Sequence, residues 1–379
     1  MAAGAQRILI DATMTRRGGG FTYLVNLLPL LASLAPERQF RMLLRNPTLR
    51  AELPPAANVE TTLYPETGFG RRLAFTMLAG PRIAADWNAD LYFGAGDLAP
   101  LSCRCPVIAS FRNPNVFTSL DQEWYAYQVF RLGALRRLSR LTARRCRRIL
   151  FVSHDSARWI GDAIALPEER RAVVHHGIDL ERFQRDAPSP HPRPYVLSVS
   201  SIYRYKNFVR LIEAWTQLAT RRDDVPDLVI AGDDMDPDYS VRMRAAREAA
   251  GRLSERIRIV GDVPYAEIGA WYRNAALFVF PSYLETFGHP LLEAMAAGVP
   301  VLSADIPVLR EVAGEAAHYV DPYDTAALER ALEHTLFEAT VRDALVARGK
   351  ARAARLSWEN SAREHLSLFD EVVKEAQTS

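Results

Sequence analysis

The chain alternates short apolar runs with helix-length segments almost from end to end, and this pattern constrains its fold most tightly. The first half carries such runs at 7–11, 39–44, 90–93, 107–110, 149–152 and 172–175. The second half carries them at 195–201, 228–231, 257–261, 277–281 and 301–304. Each is too short for a stable helix, and each is apolar without strict alternation, which is the pattern of a strand buried on both faces. Between them lie helical stretches such as 21–34 and 124–147. Parallel strands need a crossover, and a helix supplies it. The pattern therefore predicts an α/β protein of parallel sheets. One stretch breaks it: residues 184–194 read QRDAPSPHPRP, with four prolines and no helical period. We read this as a linker. It separates an N-terminal domain, 1–183, from a C-terminal domain, 195–357, and an amphipathic helix follows from residue 358.

Composition narrows the function classes. A chain of 379 residues suits two α/β domains, and 49% hydrophobic content fills two cores. A net charge of +2 gives no overall case for nucleic acid. Lysine occurs only at 206, 350 and 374, the other basic residues being arginine, so a lysine inside a motif stands out. The cysteines are Cys103, Cys105 and Cys146, an odd number without a disulfide framework, which predicts a reduced, cytoplasmic protein. Cys103 and Cys105 lack a second ligand pair for zinc, and no metal site is expected. The N-terminus shows no signal-peptide core, and the apolar run 24–35 is too short to span a bilayer.

In an open parallel sheet, ligands sit beyond the carboxyl ends of the strands. Four successive strand ends in the second half carry small or polar residues there. They are Arg204, Lys206 and Asn207 after the first; Gly232 and Asp233 after the second; Gly261, Asp262 and Val263 after the third; and Ser282 and Glu285 after the fourth. The stretch 280–301, FPSYLETFGHPLLEAMAAGVPV, is the densest. Pro290 marks a helix start, and Gly298 with Pro300 marks its end. A helix N-terminus attracts phosphate, and the neighbouring carboxylates Glu285 and Glu293 accept hydrogen bonds from hydroxyls. Phosphate with several hydroxyls describes a nucleotide sugar. In the first half, Arg16, Arg17, Gly18, Gly19 and Gly20 follow the first strand and form a candidate anion nest.

Glu285 and Glu293, with seven residues between them inside S-Y-x-E-x-F-G-x-P-x-x-E-A-M-A-x-G-x-P-V, resemble the signature of retaining GT-B glycosyltransferases of family GT4, the glycosyl transferases group 1. The resemblance is strongest over 195–325. It implies a GT-B fold, in which two Rossmann-like domains face a cleft and the last helix, 358–379, returns to the first domain. It implies a UDP- or GDP-sugar donor, a glycan or lipid-linked acceptor, and no cofactor or metal. Lys206 and Arg204 then resemble the cations beside the donor diphosphate, where fixed positive charge offsets the charge developing on the leaving group. Glu285 resembles the residue facing the donor sugar, and Glu293 the one binding the ribose. Phe287, Gly288 and His289 offer backbone N–H groups to the donor, and His289 is otherwise an exposed helix-start histidine. The base pocket falls near 261–265, and Gly19 and Gly20 reach toward the diphosphate. Many relatives carry a His-Asp pair after the strand at 107–110, where this chain has Ser110, Phe111, Arg112 and Asn113. Arg112 and Asn113 take that place as candidate donor or acceptor contacts, with His154 and His176 as further candidates. Other readings are a nucleotide-sugar epimerase or hydrolase of the same fold, and a non-catalytic sugar-nucleotide-binding protein.

Residues 131–148 hold eight arginines and no acid, with leucines at 132, 135, 138 and 141. Such a helix either packs its leucines on the sheet or lies on an anionic membrane.

Overall fold

A computed structural model describes residues 6–15, 18–118 and 126–378, with side chains from 130 onward in the helix Ala126–Arg145. It divides into two compact units, Met1–Gly177 with Trp358–Ser379, and Ile178–Ser357. The division thus falls ahead of the proline-rich stretch. The short helix Leu180–Gln184 belongs to the second unit, where Phe183 is fully buried and its ring meets Tyr272 at 5.6 Å.

The first unit has seven strands: β1 (Arg7–Asp11), β2 (Gln39–Leu44), β3 (Val59–Leu63), β4 (Leu91–Gly94), β5 (Val107–Ser110), β6 (Arg148–Phe151) and β7 (Arg171–Val173). They lie in the order β3-β2-β1-β4-β5-β6-β7, and all pairs are parallel. The second unit has β8 (Tyr195–Val199), β9 (Asp227–Ala231), β10 (Ile257–Gly261), β11 (Leu277–Phe280), β12 (Val301–Ala304) and β13 (His318–Val320). Their order is β10-β9-β8-β11-β12-β13, again parallel. Both are doubly wound sheets. The winding reverses between β1 and β4 in the first and between β8 and β11 in the second.

The apolar runs became central strands because both faces are covered. In β4, β5, β9, β11 and β12 every residue is buried. Two strands escaped the sequence reading, β3 and β13. Both are edge strands, and β3 reads VETTL with mostly half-exposed side chains. An edge strand packs little apolar surface and so leaves a weak signal.

In the first unit, the helix Gly19–Leu34 buries Tyr23, Leu24, Leu27, Leu28 and Leu31. Beside it, the helix Trp358–Thr378 buries Trp358, Ala362, Phe369 and Val372 in the same core. His365 ties the two helices. Its Nδ1–H donates to the Ser361 carbonyl at 2.6 Å, which leaves Nε2 to accept from the Tyr23 hydroxyl, also at 2.6 Å. Burial holds His365 down at about 4.

Candidate functional site

The reversal between β8 and β11 brings two loops side by side, and ligands of doubly wound sheets bind at such a point. The loop after β8 makes a single 3-10 turn, Arg204–Lys206, and ends at Asn207 in a left-handed conformation, φ 63°. Asparagine tolerates that region better than most residues. Its amide explains why it is needed: Nδ2 donates to the carbonyls of Pro281, at 3.2 Å, and Pro322, at 2.6 Å. The loop after β11 is stitched to the same turn. Tyr283 N–H and the Ser282 hydroxyl both donate to the Tyr205 carbonyl, at 3.0 and 3.1 Å.

This stitching sets Lys206 against Glu285, with Nζ 2.5 Å from Oε1 and each side chain about one-tenth exposed. The ammonium also lies 5.0 Å from the Tyr205 ring and 5.4 Å from that of Phe280. A pair this dry needs both members, because removing one leaves a buried charge, at a cost of about 3–5 kcal/mol. Arg204, two residues earlier, is used differently. Its guanidinium grips Asp236 through Nε, at 3.0 Å, and a second nitrogen, at 3.3 Å. Both side chains are almost fully buried. Asp236 also caps the helix Pro237–Ala249 by accepting from Tyr239 N–H.

Gly288 precedes the helix His289–Ala297 at φ 91°, where a Cβ would come within 2.5 Å of Leu309. Only glycine fits there without strain. The helix starts at His289, and both His289 and Glu293 are buried. His289 Nδ1 is 3.4 Å from Glu293 Oε1, so this histidine is not an exposed helix-start residue. Burial, and after it the Glu293 carboxylate alongside, hold the Tyr272 hydroxyl well above its usual range. Phe287 is buried, its ring 6.0 Å from that of His289.

The remaining second-unit residues are more dispersed. Gly232 follows β9 at φ 154°, and a Cβ there would lie 1.8 Å from the Ser200 carbonyl oxygen. Close backbone packing accounts for this glycine. Asp262 is exposed and Val263 half-buried, at the end of the edge strand β10. Nearby, the Arg182 guanidinium lies 4.2 Å from the Tyr265 ring.

In the first unit, Gly20 after β1 lies beside Arg112, in the loop that follows β5. A Cβ on Gly20 would be 3.2 Å from Thr15 and 3.8 Å from the Arg112 guanidinium; Gly19 has open space. Arg112 donates to the Ala95 carbonyl at 2.5 Å and lies 4.3 Å from the Tyr23 ring. Asp97 accepts the backbone N–H groups of Arg112, at 2.9 Å, and Asn113, at 3.3 Å. Burial lowers the Arg112 pKa and raises that of Asp97. The Asn113 side chain caps the turn Pro114–Val116. His176 is buried between Tyr23, at 5.0 Å, and Trp358, at 5.4 Å, while His154 is exposed. Arg16 and Arg17 lie outside the described residues, as does the first part of the stretch 124–147.

Sequence reasoning missed Asp97, Asp236 and Tyr272. Asp97 sits just past β4, at the winding reversal, and Asp236 directly precedes a proline, a helix-start signal. Tyr272 carries no comparable signal, being an apolar-face residue of the helix Ile268–Arg273.

Two family profiles cover nearly the whole chain, "Glycosyltransferase Family 4" over residues 17–182 and "Glycosyl transferases group 1" over 179–352. The chain belongs to the GT4-type glycosyltransferases. O-antigen chain mannosyltransferase B of Escherichia coli is 32% identical over 178 residues, 46% of this chain and 45% of that protein. A phosphatidyl-myo-inositol mannosyltransferase of Mycobacterium tuberculosis is 30% identical over 235 residues, 59% of each. The chain thus spans about half the length of the curated relatives it matches. The crystal structure of Anabaena HepE in complex with UDP-glucose superposes with a TM-score of 0.73 at 15% identity, covering 98% of this chain and all of that one. This GT4-type protein therefore has the GT-B fold.

Proposed function

We propose that this chain transfers a sugar from a nucleoside-diphosphate sugar to a hydroxyl of a glycan or lipid-linked acceptor, with retention at the anomeric carbon and without a metal. The observation that carries the reading is the buried Lys206–Glu285 pair at the strand-order reversal of the second unit. A diphosphate arriving there competes with Glu285 for the Lys206 ammonium. The carboxylate, once released, is free to accept hydrogen bonds from sugar hydroxyls. As the bond from sugar to phosphate breaks, negative charge grows on the leaving oxygen, and a fixed cation in a dry site lowers that barrier. The acceptor proton passes to the leaving phosphate oxygen on the same face, so no protein nucleophile is needed. Glu293, held between His289 and Tyr272, is placed to bind the ribose. Arg204, engaged by Asp236, acts by holding the turn that presents Lys206. The names of the two relatives favour a mannosyl donor and an O-antigen or phosphatidyl-myo-inositol acceptor.

Calorimetric titration with UDP, GDP, ADP and CMP, with EDTA present, tests the site. One diphosphate should bind tightly, Lys206→Ala should abolish that binding, and Glu293→Ala should weaken it with smaller effect on turnover. Wild-type binding in Lys206→Ala removes the assignment. Product analysis with the donor so identified then separates transfer from hydrolysis, epimerisation and binding alone.

We also propose that the helix Ala126–Arg145 contacts an anionic membrane. No helix among the described residues is long and apolar enough to cross one. The leucine stripe spirals out of the core: Leu132 is buried, whereas Leu141 is 40% exposed. Phe130 is 80% exposed, and Arg131, Arg137, Arg140, Arg144 and Arg145 share the outer surface. Vesicles containing phosphatidylglycerol should sediment the protein, and neutral vesicles should not. Equal behaviour with both ends the electrostatic reading.

A further inference from the structure

The loop between β4 and β5 carries S-C-R-C-P, and its two thiols take no part in the site above. Cys103 Sγ and Cys105 Sγ are 3.5 Å apart. Both are half-buried, and Arg104 between them is exposed. The sulfurs rest on the core of the first unit, while their loop has no regular secondary structure. Bringing the sulfurs to the disulfide length of about 2.05 Å needs a local shift of about 1.5 Å. The third cysteine, Cys146, is buried, which pushes its thiol up to about 12.

We propose that Cys103 and Cys105 form a reversible dithiol–disulfide modification site that exchanges with small-molecule disulfides such as oxidised glutathione. The two thiols are prepared for different steps. A hydrogen bond from the Cys105 thiol, helped by the backbone N–H groups of Cys105 and Arg104, brings Cys103 down to about 7 despite partial burial. Cys105 is raised, first by that same hydrogen bond and then by burial. Cys103 is therefore the attacking thiolate. It displaces one glutathione thiolate from the oxidised dimer and forms a mixed disulfide. That step removes the negative charge from Cys103, and with it the interaction that kept Cys105 protonated. Cys105 then loses its proton to solvent and attacks the Cys103 sulfur. The internal disulfide forms and the second glutathione leaves as a thiolate. Two electrons pass from the protein to one glutathione disulfide, which becomes two reduced glutathiones.

Thiolate fraction gains and nucleophilicity losses at a pKa of about 7 together predict a first step about threefold faster at pH 7 than for an ordinary free cysteine. The test is timed exposure of the whole protein to oxidised glutathione, acid quenching, alkylation and peptide mass spectrometry. Trypsin cuts after Arg104, so an internal disulfide leaves two peptides joined. The expected result is joint loss of Cys103 and Cys105 alkylation, reversed by dithiothreitol, with Cys146 shielded until denaturation. Cys105→Ser should stop at one glutathione on Cys103, and Cys103→Ser should react several-fold more slowly. Stable glutathione adducts on the wild-type protein without joined peptides overturn the proposal. So does a Cys103→Ser variant that reacts at the wild-type rate.

Discussion

Lys206 and Glu285 each make the other affordable in a dry site, so single substitutions there mix two effects. Glu285→Gln leaves the ammonium without its counter-charge and should cost about 3–5 kcal/mol in urea unfolding. Adding Lys206→Met replaces the ion pair with a neutral pair of similar bulk and should recover most of that loss. Neither variant should bind a nucleoside diphosphate. Recovered binding in the stable double variant would show that the pair serves only the fold. Asn207, Gly288 and Glu293 were all visible in the sequence as motif positions, because a left-handed backbone, a forbidden Cβ or a buried acid restricts which residue is tolerated. The partner of Arg204 was not visible. Asp236 lies 32 residues further on, and nothing local links the two.

Among elements, the central strands and the helix at 289 could be read because burial on both faces leaves a continuous apolar run. The edge strands β3 and β13 could not, since most of their residues are only partly buried or exposed. The helix Pro237–Ala249 illustrates how one element sets the position of another. Its cap, Asp236, also holds Arg204 and hence the turn that carries Lys206. Asp236→Asn keeps a capping oxygen but removes the charge, whereas Asp236→Ala removes both. Unfolding free energy should therefore fall in the order wild type, Asn, Ala, with about 1 kcal/mol of cap energy separating the variants. Equal stability of the two variants would show that the cap contributes nothing.

At the scale of the whole molecule, the first unit is assembled from both ends of the chain. The Tyr23–His365 contact, at 2.6 Å, lies at that join. His365 titrates at about 4 in the folded protein against an ordinary 6.5, with burial as the leading cause. Below pH 6.5 the unfolded chain takes up a proton that the folded chain refuses, so this contribution is full above 6.5 and is lost progressively down to about 4. Between pH 7.5 and 5 the loss should be about 2 kcal/mol. His365→Gln should flatten that part of the pH–stability curve, and an unchanged slope would place the sensitivity elsewhere. The amphipathic pattern from residue 358 announced a helix. That Tyr23 would donate a hydrogen bond to His365 was beyond any local pattern, because the two residues are 342 positions apart.

The same join has a consequence for how the protein is made. During vectorial synthesis residues 1–177 leave the ribosome well before the helix that completes their core, with residues 178–357 made in between. At ordinary elongation rates that interval is roughly 10–40 s. Throughout it, the flank of Tyr23, Leu27 and Leu31 that waits for Trp358 and Phe369 has no partner. The nascent chain must carry this open apolar seam until the helix at 358 has emerged, so the first unit closes only after the whole second unit has been made.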